Sequence, residues 1–212
     1  MSSSSASAYR CGPHPKAGEN WGPTLIPPGR SPKVIKGTPP WSHDRPPTMT
    51  KQLILFRHGK SDWNVGNGRD RDRPVAERGI IAAKTMGKLL AAAGKVPDLA
   101  ITSSAVRART TLEIAMEAGH WPCPMSVTDD LYEASIDQVL QVIYAVPDHH
   151  RSLMLVGHQP TWSDAASFFL GGGIVHMPTA AMVCLEFEIT TWSQIDYGRG
   201  TLLWLLPPRL FT

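Results

Sequence analysis

An arginine, a histidine and a glycine stand together at positions 57 to 59, directly after a run of apolar residues. Arg57 is always charged, and its planar guanidinium matches the geometry of phosphate oxygens. His58 can act as a nucleophile or carry a proton near neutral pH. Gly59 permits a tight turn and the close approach of a ligand. These residue types predict the binding and transfer of an anionic group, whereas the plainer interpretation is a strand-end arginine beside a packed histidine.

Two later segments place similar side chains after further apolar runs. Ser103 and Ser104 follow one run, with Arg107 in the first turn of a predicted helix, and His158 follows another. If these strands are parallel neighbours of the first, their carboxyl ends meet at one edge, where ligands of open α/β sheets bind. Arg57 and Arg107 could then each hold phosphate oxygens through two hydrogen bonds. The start of the helix would add to the attraction for an anion.

Strands that alternate with helices must position these groups. Leu53–Phe56 is a continuous apolar run, typical of a strand buried on both faces of a parallel sheet. Further short strands are predicted at 99–101, 125–127 and 153–156, and helices at about 80–93, 105–118, 135–145 and 162–170. Runs at 181–189 and 201–206 predict a hairpin. We therefore predict an α/β fold, a three-layer sandwich with a largely parallel central sheet flanked by helices and a C-terminal edge hairpin.

Composition excludes several classes of function. The 212 residues carry a formal charge of +3, but residues 1–50 hold six basic and two acidic side chains, or +4, which leaves −1 for the remainder. The folded part therefore gives no basic-surface argument for nucleic acid, and no apolar stretch is long enough to span a membrane. The three cysteines are odd in number and far apart, which favours a reducing compartment without disulfides. We expect a cytoplasmic protein.

Residues 1–48 differ from the rest of the chain. They are rich in serine and then in proline and glycine, without a hydrophobic period. Such a segment cannot bury enough apolar surface to offset the entropy of ordering it. We expect residues 1–48 to be a disordered tail, or an over-long gene model that precedes a start at Met49, and residues 49–212 to form the catalytic domain. Organelle targeting by the tail is less favoured, because arginine is sparse and no amphipathic helix is visible.

Three segments in order carry a resemblance to a known family: 57–64 (RHGKSDWN), 103–108 (SSAVRA) and 157–160 (GHQP). Together they resemble the histidine phosphatase superfamily, also called phosphoglycerate-mutase-like, over about residues 50–206. The short chain and the stretch from Arg73-Pro74-Val75 to Gly79 are similar to the SixA branch of phosphohistidine phosphatases.

The resemblance implies a role for each matched residue. His58 would attack phosphorus and become transiently phosphorylated, and Arg57, Arg107 and His158 would hold the equatorial oxygens. Asn64 matches a position that in relatives can donate to the phosphoryl group. No metal or cofactor is expected, because the guanidiniums supply the positive charge. We also expect His58 to be neutral at working pH, since adjacent cations disfavour its protonation.

The leaving group needs a proton in most such reactions. Glu133, or Asp130 in the same loop, is the candidate general acid, because many relatives carry an acidic residue in this region. Such an acid typically contributes about 10²–10⁴-fold. A leaving imidazole is easier to expel than an alkoxide, so the acid could be partly dispensable. The plainer interpretation is a solvated loop carboxylate.

Other residue patterns in the sequence are weaker signals of function. Asp148-His149-His150 matches a motif of metal-dependent phosphoesterases, but it lies before a strand and no partner carboxylate motifs accompany it. His176 and Trp63 could border the site or merely fill the surface and the core edge.

The residues and the family resemblance together predict a metal-independent phosphatase that works through a phosphohistidine intermediate. Its first expected substrate is phosphohistidine on a protein, and the second is a small phosphate ester such as a sugar or nucleotide phosphate. A phosphate-binding module without turnover and a mutase are the less favoured alternatives. Neither a nucleic acid nor a membrane is expected as a partner, and the sequence leaves the oligomeric state open.

Overall fold

A computed structural model describes residues 50–63 and 69–211. The prediction for the segment 1–48 and the assignment of Asn64 lie outside these residues. The described elements, in chain order, are β1 (Lys51–Arg57), α1 (Glu77–Ala92), β2 (Leu99–Ser103), α2 (Val106–Gly119), β3 (Met125–Thr128), α3 (Ile136–Tyr144), β4 (Ser152–Gly157), α4 (Thr161–Phe169), β5 (Met182–Phe187) and β6 (Thr201–Leu206). In this part of the chain no helix is both long and apolar enough to cross a membrane.

The strands form a six-stranded mixed sheet in the order β3-β2-β4-β1-β5-β6. The first four run parallel, whereas β5 pairs antiparallel with β1, and β6 antiparallel with β5. This confirms the largely parallel sheet and the C-terminal hairpin at its edge. Because β2, β4 and β1 are neighbours, the residues that follow them meet at one edge of the sheet.

Two apolar cores lie on opposite faces of the sheet, and strand alternation assigns residues to them. Leu53 and Leu55 belong to the core under α3 and α4, and Ile54 and Phe56 to the core under α1 and α2. All four side chains are almost completely buried, as expected for a strand that is covered on both faces. The three-layer sandwich is therefore confirmed.

The helix boundaries differ from the predicted ones at two places. Helix α1 begins at Glu77, three residues before the expected start, and its third residue is Gly79. A Cβ at Gly79 would lie 2.5 Å from the carbonyl oxygen of Lys60, so the helix packs closely against the chain that follows β1. Helix α2 ends at Gly119, one residue beyond the predicted end at 118, and the left-handed residue that follows it is His120 (φ 52°).

Candidate active site

A cleft of about 660 Å³ lies at the carboxyl ends of β1, β4 and β2. Arg57 and His58 reach it from the end of β1, Arg107 from the first turn of α2, and His158 from the residue after β4. The structure thus brings these four predicted residues together. Their convergence follows from the parallel order of the strands and from two different helices that start at the same edge.

His58 is 8% exposed, and its Nδ1 lies 2.7 Å from the carbonyl oxygen of Gly59. Since a carbonyl oxygen only accepts, Nδ1 carries the hydrogen and donates it, and Nε2 keeps its lone pair. Burial, and then the charges of Arg107 and Arg57, lower the pKa of His58 to about 4, although the bond to Gly59 opposes this. The direction agrees with the predicted neutral imidazole, but burial rather than the neighbouring cations is the larger cause.

The backbone beside His58 is held from two sides. The N–H of Gly59 donates to Oγ1 of Thr111 at 2.9 Å, and the same hydroxyl donates to the carbonyl oxygen of Arg107 at 2.6 Å. A Cβ at Gly59 would lie 3.0 Å from the carbonyl oxygen of Gly79, so the close approach of α1 favours glycine here. The buried Thr111 hydroxyl therefore links the backbone next to the imidazole to the helix that carries Arg107.

His158 is likewise buried, and its Nε2 lies 2.9 Å from Oγ of Ser103. The Ser103 hydroxyl also accepts from the N–H of Ala105 at 3.4 Å, so its own hydrogen is free to point at His158. In that arrangement Nδ1 of His158 carries a hydrogen that can be donated elsewhere. Burial, followed by the charge of His58, lowers the pKa of His158 to about 3. The two rings lie with their centroids 5.1 Å apart.

Arg73 is a cleft residue that the sequence analysis did not assign to the site. Asp70 connects it to Arg107: one carboxylate oxygen lies 2.6 Å from Arg73 and the other 2.9 Å from Arg107. Burial opposes the charge of Asp70, but the cations of Arg107 and Arg73 outweigh it and lower the pKa of that carboxyl. Arg73 also stacks on Trp63 at 3.7 Å from the ring centroid. The stretch of alternating Arg and Asp before Pro74 was the signal that could have revealed it.

Arg57 is fixed by the segment that precedes β5. It donates to the carbonyl oxygen of Met177 at 2.8 Å, and Gln159 donates to the same oxygen at 2.9 Å. Burial lowers the pKa of Arg57 from its usual value. Both nitrogens at the end of Arg107 already bind Asp70, through its backbone oxygen and its carboxylate. The two hydrogen bonds that we expected Arg107 to offer to phosphate are therefore shared with the Asp70 carboxylate and its backbone oxygen.

Among the described residues, five buried side-chain polar atoms have no hydrogen-bond partner, and all lie on residues of this cleft. They are Nε of Arg57, Nε and one terminal nitrogen of Arg73, Nε of Arg107 and Nδ1 of His158. Buried donors without partners are rare and costly, at about 1–3 kcal/mol each. The guanidinium nitrogens can only donate, so the cleft is built to receive an anion with several oxygens.

The two candidate acids face different cavities. Glu133 lines the cleft, and its backbone lies in the left-handed region (φ 52°), which is uncommon for a residue with a side chain. Asp130 instead accepts a hydrogen bond from Thr128 and lines a separate groove of about 620 Å³. We call this second cavity the apolar groove, because Leu99, Ile101 and Val142 contribute to its wall. The geometry thus favours Glu133 over Asp130.

The remaining signals have simpler structural explanations. Asp148 accepts from the N–H of Trp192 at 2.7 Å and lies 3.7 Å from the Lys51 nitrogen, so it joins two segments of the chain. Trp63 is 71% exposed and forms a wall of the cleft.

Comparison with known proteins agrees with this geometry. A family model of the histidine phosphatase superfamily (branch 1) matches residues 53–146. An uncharacterised protein of Mycobacterium tuberculosis is 38% identical over 164 residues, which are 73% of this chain and all of that protein. The chain belongs to the histidine phosphatase superfamily. Membership implies phosphatase or mutase chemistry.

Among solved structures, a protein assigned as the phosphohistidine phosphatase SixA of Agrobacterium tumefaciens is similar. It has a TM-score of 0.63 and 28% identity over 74% of this chain and 98% of that one. The structure of protein histidine phosphatase SixA with tungstate has a TM-score of 0.66, at 20% identity over 76% of this chain and 99% of that one. The second likeness concerns the fold alone.

Other relatives point to different substrates or compartments. A 2,3-bisphosphoglycerate-dependent phosphoglycerate mutase of Nocardia farcinica is 40% identical, but only over 77 residues, 34% of this chain and 31% of the mutase. An uncharacterised Arabidopsis thaliana protein whose name includes "chloroplastic" is 29% identical over 75% of this chain and 77% of its own length.

Proposed function

We propose that this protein is a metal-independent phosphatase that removes phosphate from phosphohistidine on a protein, through a phosphohistidine intermediate on His58. The observation that carries the proposal is the set of five unpartnered buried nitrogens around a neutral imidazole. Four of them are guanidinium nitrogens, which supply positive charge and donors in a fixed geometry. The likeness to SixA supports the substrate class.

In the first step, Nε2 of His58 attacks phosphorus while the bond to the leaving group breaks. Nδ1 stays bonded to the carbonyl oxygen of Gly59, which stabilises the charge that develops on the ring. Arg57, Arg107 and His158 donate to the equatorial oxygens, and Arg73 adds a third guanidinium. Asn64, matched by sequence, would be a further donor.

Glu133 is proposed to protonate the leaving atom, since it is a carboxylate residue that lines the cleft. In the second step a water molecule attacks the phosphohistidine, and the Glu133 carboxylate accepts its proton. Inorganic phosphate then leaves, and His58 returns to its neutral form. The positive charge of the guanidiniums makes a metal ion unnecessary for either step.

The second candidate substrate is a small phosphate ester, such as a sugar or nucleotide phosphate. The local match to a phosphoglycerate mutase favours it. The mutase match covers 31% of that enzyme, and the SixA match 98% of its chain. We therefore place the protein phosphohistidine first. A cytoplasmic location remains our prediction, with organelle targeting by residues 1–48 as the alternative that the Arabidopsis relative suggests.

Phosphate release from a phosphohistidine protein and from a panel of small esters, both in excess chelator, tests the proposal. We expect the phosphohistidine protein to exceed the esters in kcat/KM by at least about tenfold. The chelator should have no effect. If an ester is preferred, the substrate class is wrong while the mechanism stands. If the chelator abolishes turnover, or phosphate binds stoichiometrically without release, the mechanism itself is wrong.

A further inference from the structure

A third cavity, shallower and of about 450 Å³, adjoins the active cleft and shares three residues with it. Arg57, Lys60 and Thr179 line both cavities. The part that lies beyond them is lined by Arg78, His176 and Arg209, together with apolar side chains. We call these three residues, with the shared Lys60, the basic annex.

Among the residues that the structure describes, no carboxylate lines the annex, whereas Asp70 and Glu133 line the active cleft. Within the described residues, the side chains of Lys60, Arg78 and Arg209 form no ion pair or hydrogen bond. In contrast, Lys51, Arg71 and Arg109 each lie beside a carboxylate. The cations of the annex therefore have no partner among the described residues, unlike Lys51, Arg71 and Arg109.

The charge is also segregated. Residues 51–212 sum to −1, yet the two cavities together are lined by six basic side chains and two carboxylates. Clustered like charges raise each other's energy, and a bound anion relieves this repulsion. Arg78, His176 and Arg209 are exposed, so an anion can reach them from solvent.

We propose that the basic annex is a second anion subsite, which binds carboxylate side chains next to the phosphorylated histidine of a protein substrate. The inference rests on the proposed function, and it names the kind of protein that the site selects. The open position of Arg78 and Arg209 suits carboxylates on a macromolecular surface. Each exposed pair of this kind contributes only a small amount, so several together should change recognition by about three- to tenfold.

Two synthetic phosphohistidine peptides test the inference. In one the phosphohistidine is flanked by Asp and Glu, and in the other by Asn and Gln. We expect the full-length protein to prefer the acidic peptide by about three- to tenfold in kcat/KM, mostly through KM. The preference should shrink as salt is added, since salt screens exposed charges. In the variant Arg78→Gln/Arg209→Gln the ratio of the two kcat/KM values should fall to about one.

The matched control is Lys84→Gln/Lys88→Gln, which removes the same charge from two exposed positions on helix α1, outside both cavities. It should keep the full preference for the acidic peptide. The inference is overturned if the wild type shows no preference, if the annex variant keeps the preference, or if the control loses it equally.

A binding measurement separates this inference from the proposed function. Fluorescence anisotropy of the acidic peptide with an unphosphorylated histidine requires no turnover, and its affinity should fall about three- to tenfold in the annex variant only. If the protein hydrolyses neither peptide but binds the acidic one in this way, the annex stands and the phosphatase proposal fails. If it hydrolyses both peptides equally and binds neither selectively, the annex is wrong and the phosphatase proposal stands.

Discussion

The active cleft and the apolar groove have similar volumes, about 660 and 620 Å³, but very different walls. In the active cleft, buried guanidinium and imidazole nitrogens have no partner among the described residues. In the apolar groove, Asp130 is paired with Thr128, and aliphatic side chains form much of the remaining wall. Unsatisfied buried donors, rather than volume, therefore distinguish the candidate active cleft from the apolar groove.

The loop between β3 and α3 contributes to both cavities. It places Asp130 at the groove and Glu133, three residues later, at the cleft. Substitutions in the two cavities should therefore have sharply different consequences.

The largest difference is expected for His58→Gln. Glutamine keeps much of the polarity but has no nucleophilic nitrogen, so both phosphate release and the radiolabelled phosphoenzyme should fall by about 10³-fold or more. Gln141→Ala in the apolar groove should leave both signals within about twofold of wild type. A labelled phosphoenzyme that persists in His58→Gln would refute the assignment of the nucleophile.

Arg107→Lys should reduce kcat/KM by about 10²–10³-fold, the usual cost of removing one transition-state donor. A lysine keeps the charge but cannot bind Asp70 twice and still face the phosphoryl group. Arg109→Lys, two residues along the same helix, alters only an exposed pair with Glu113 at 3.3 Å and should have little effect. Steady-state kinetics of the two variants measure this difference. If position 107 served only to place a positive charge, Arg107→Lys would lose as little activity as Arg109→Lys.

Glu133→Gln should reduce kcat by about 10–10²-fold for esters with a poor leaving group, and less for a phosphohistidine substrate. Asp130→Asn should change kcat less than about twofold, because its carboxylate lies at the other cavity. The logarithm of kcat for a series of esters, plotted against the pKa of the leaving group for wild type and for Glu133→Gln, would test this. Equal slopes for wild type and Glu133→Gln would mean that Glu133 is not the acid.

The two buried histidines should make stability depend on pH. Their folded pKa values of about 4 and about 3 lie below the ordinary value of 6.5, so the unfolded chain binds more protons between these limits. With respect to these two groups, the free energy of unfolding is highest above about pH 6.5. It falls by about 1.4 kcal/mol per pH unit for each histidine as the pH drops toward 4 for His58 and 3 for His158. The free energy of unfolding, measured with denaturant at a series of pH values, should depend less steeply on pH in His58→Gln/His158→Gln than in the wild type. An unchanged pH dependence would contradict this prediction.

The smallest effect is expected for Glu133→Gly. The left-handed backbone at this position costs a residue with a side chain about 1 kcal/mol, which glycine avoids. The free energy of unfolding should therefore rise by up to about 1 kcal/mol, while ester hydrolysis falls as in Glu133→Gln. Thermal unfolding with matched activity assays would measure both, and a loss of stability would show that other contacts hold Glu133.

The sequence by itself determined the layers of the fold and the placement of four residues of the candidate site. The apolar run Leu53–Phe56 is long enough to be covered on both faces, and parallel strands must place their polar ends at one edge. Arg57, His58, Arg107 and His158 follow from that rule, because each stands at a strand end or in the first turn of the next helix.

Only the tertiary structure decided the remainder. Arg73 lies in the cleft beside Asp70, which also binds Arg107, and Asp70 and Arg107 are 37 positions apart, too far to be paired from local pattern. The choice of Glu133 over Asp130 depends on which cavity each residue lines, and two acids three residues apart in one loop cannot be told apart by sequence pattern. The basic annex joins α1 to the chain end near Arg209, so its charge density arises only when the folded chain brings these segments together.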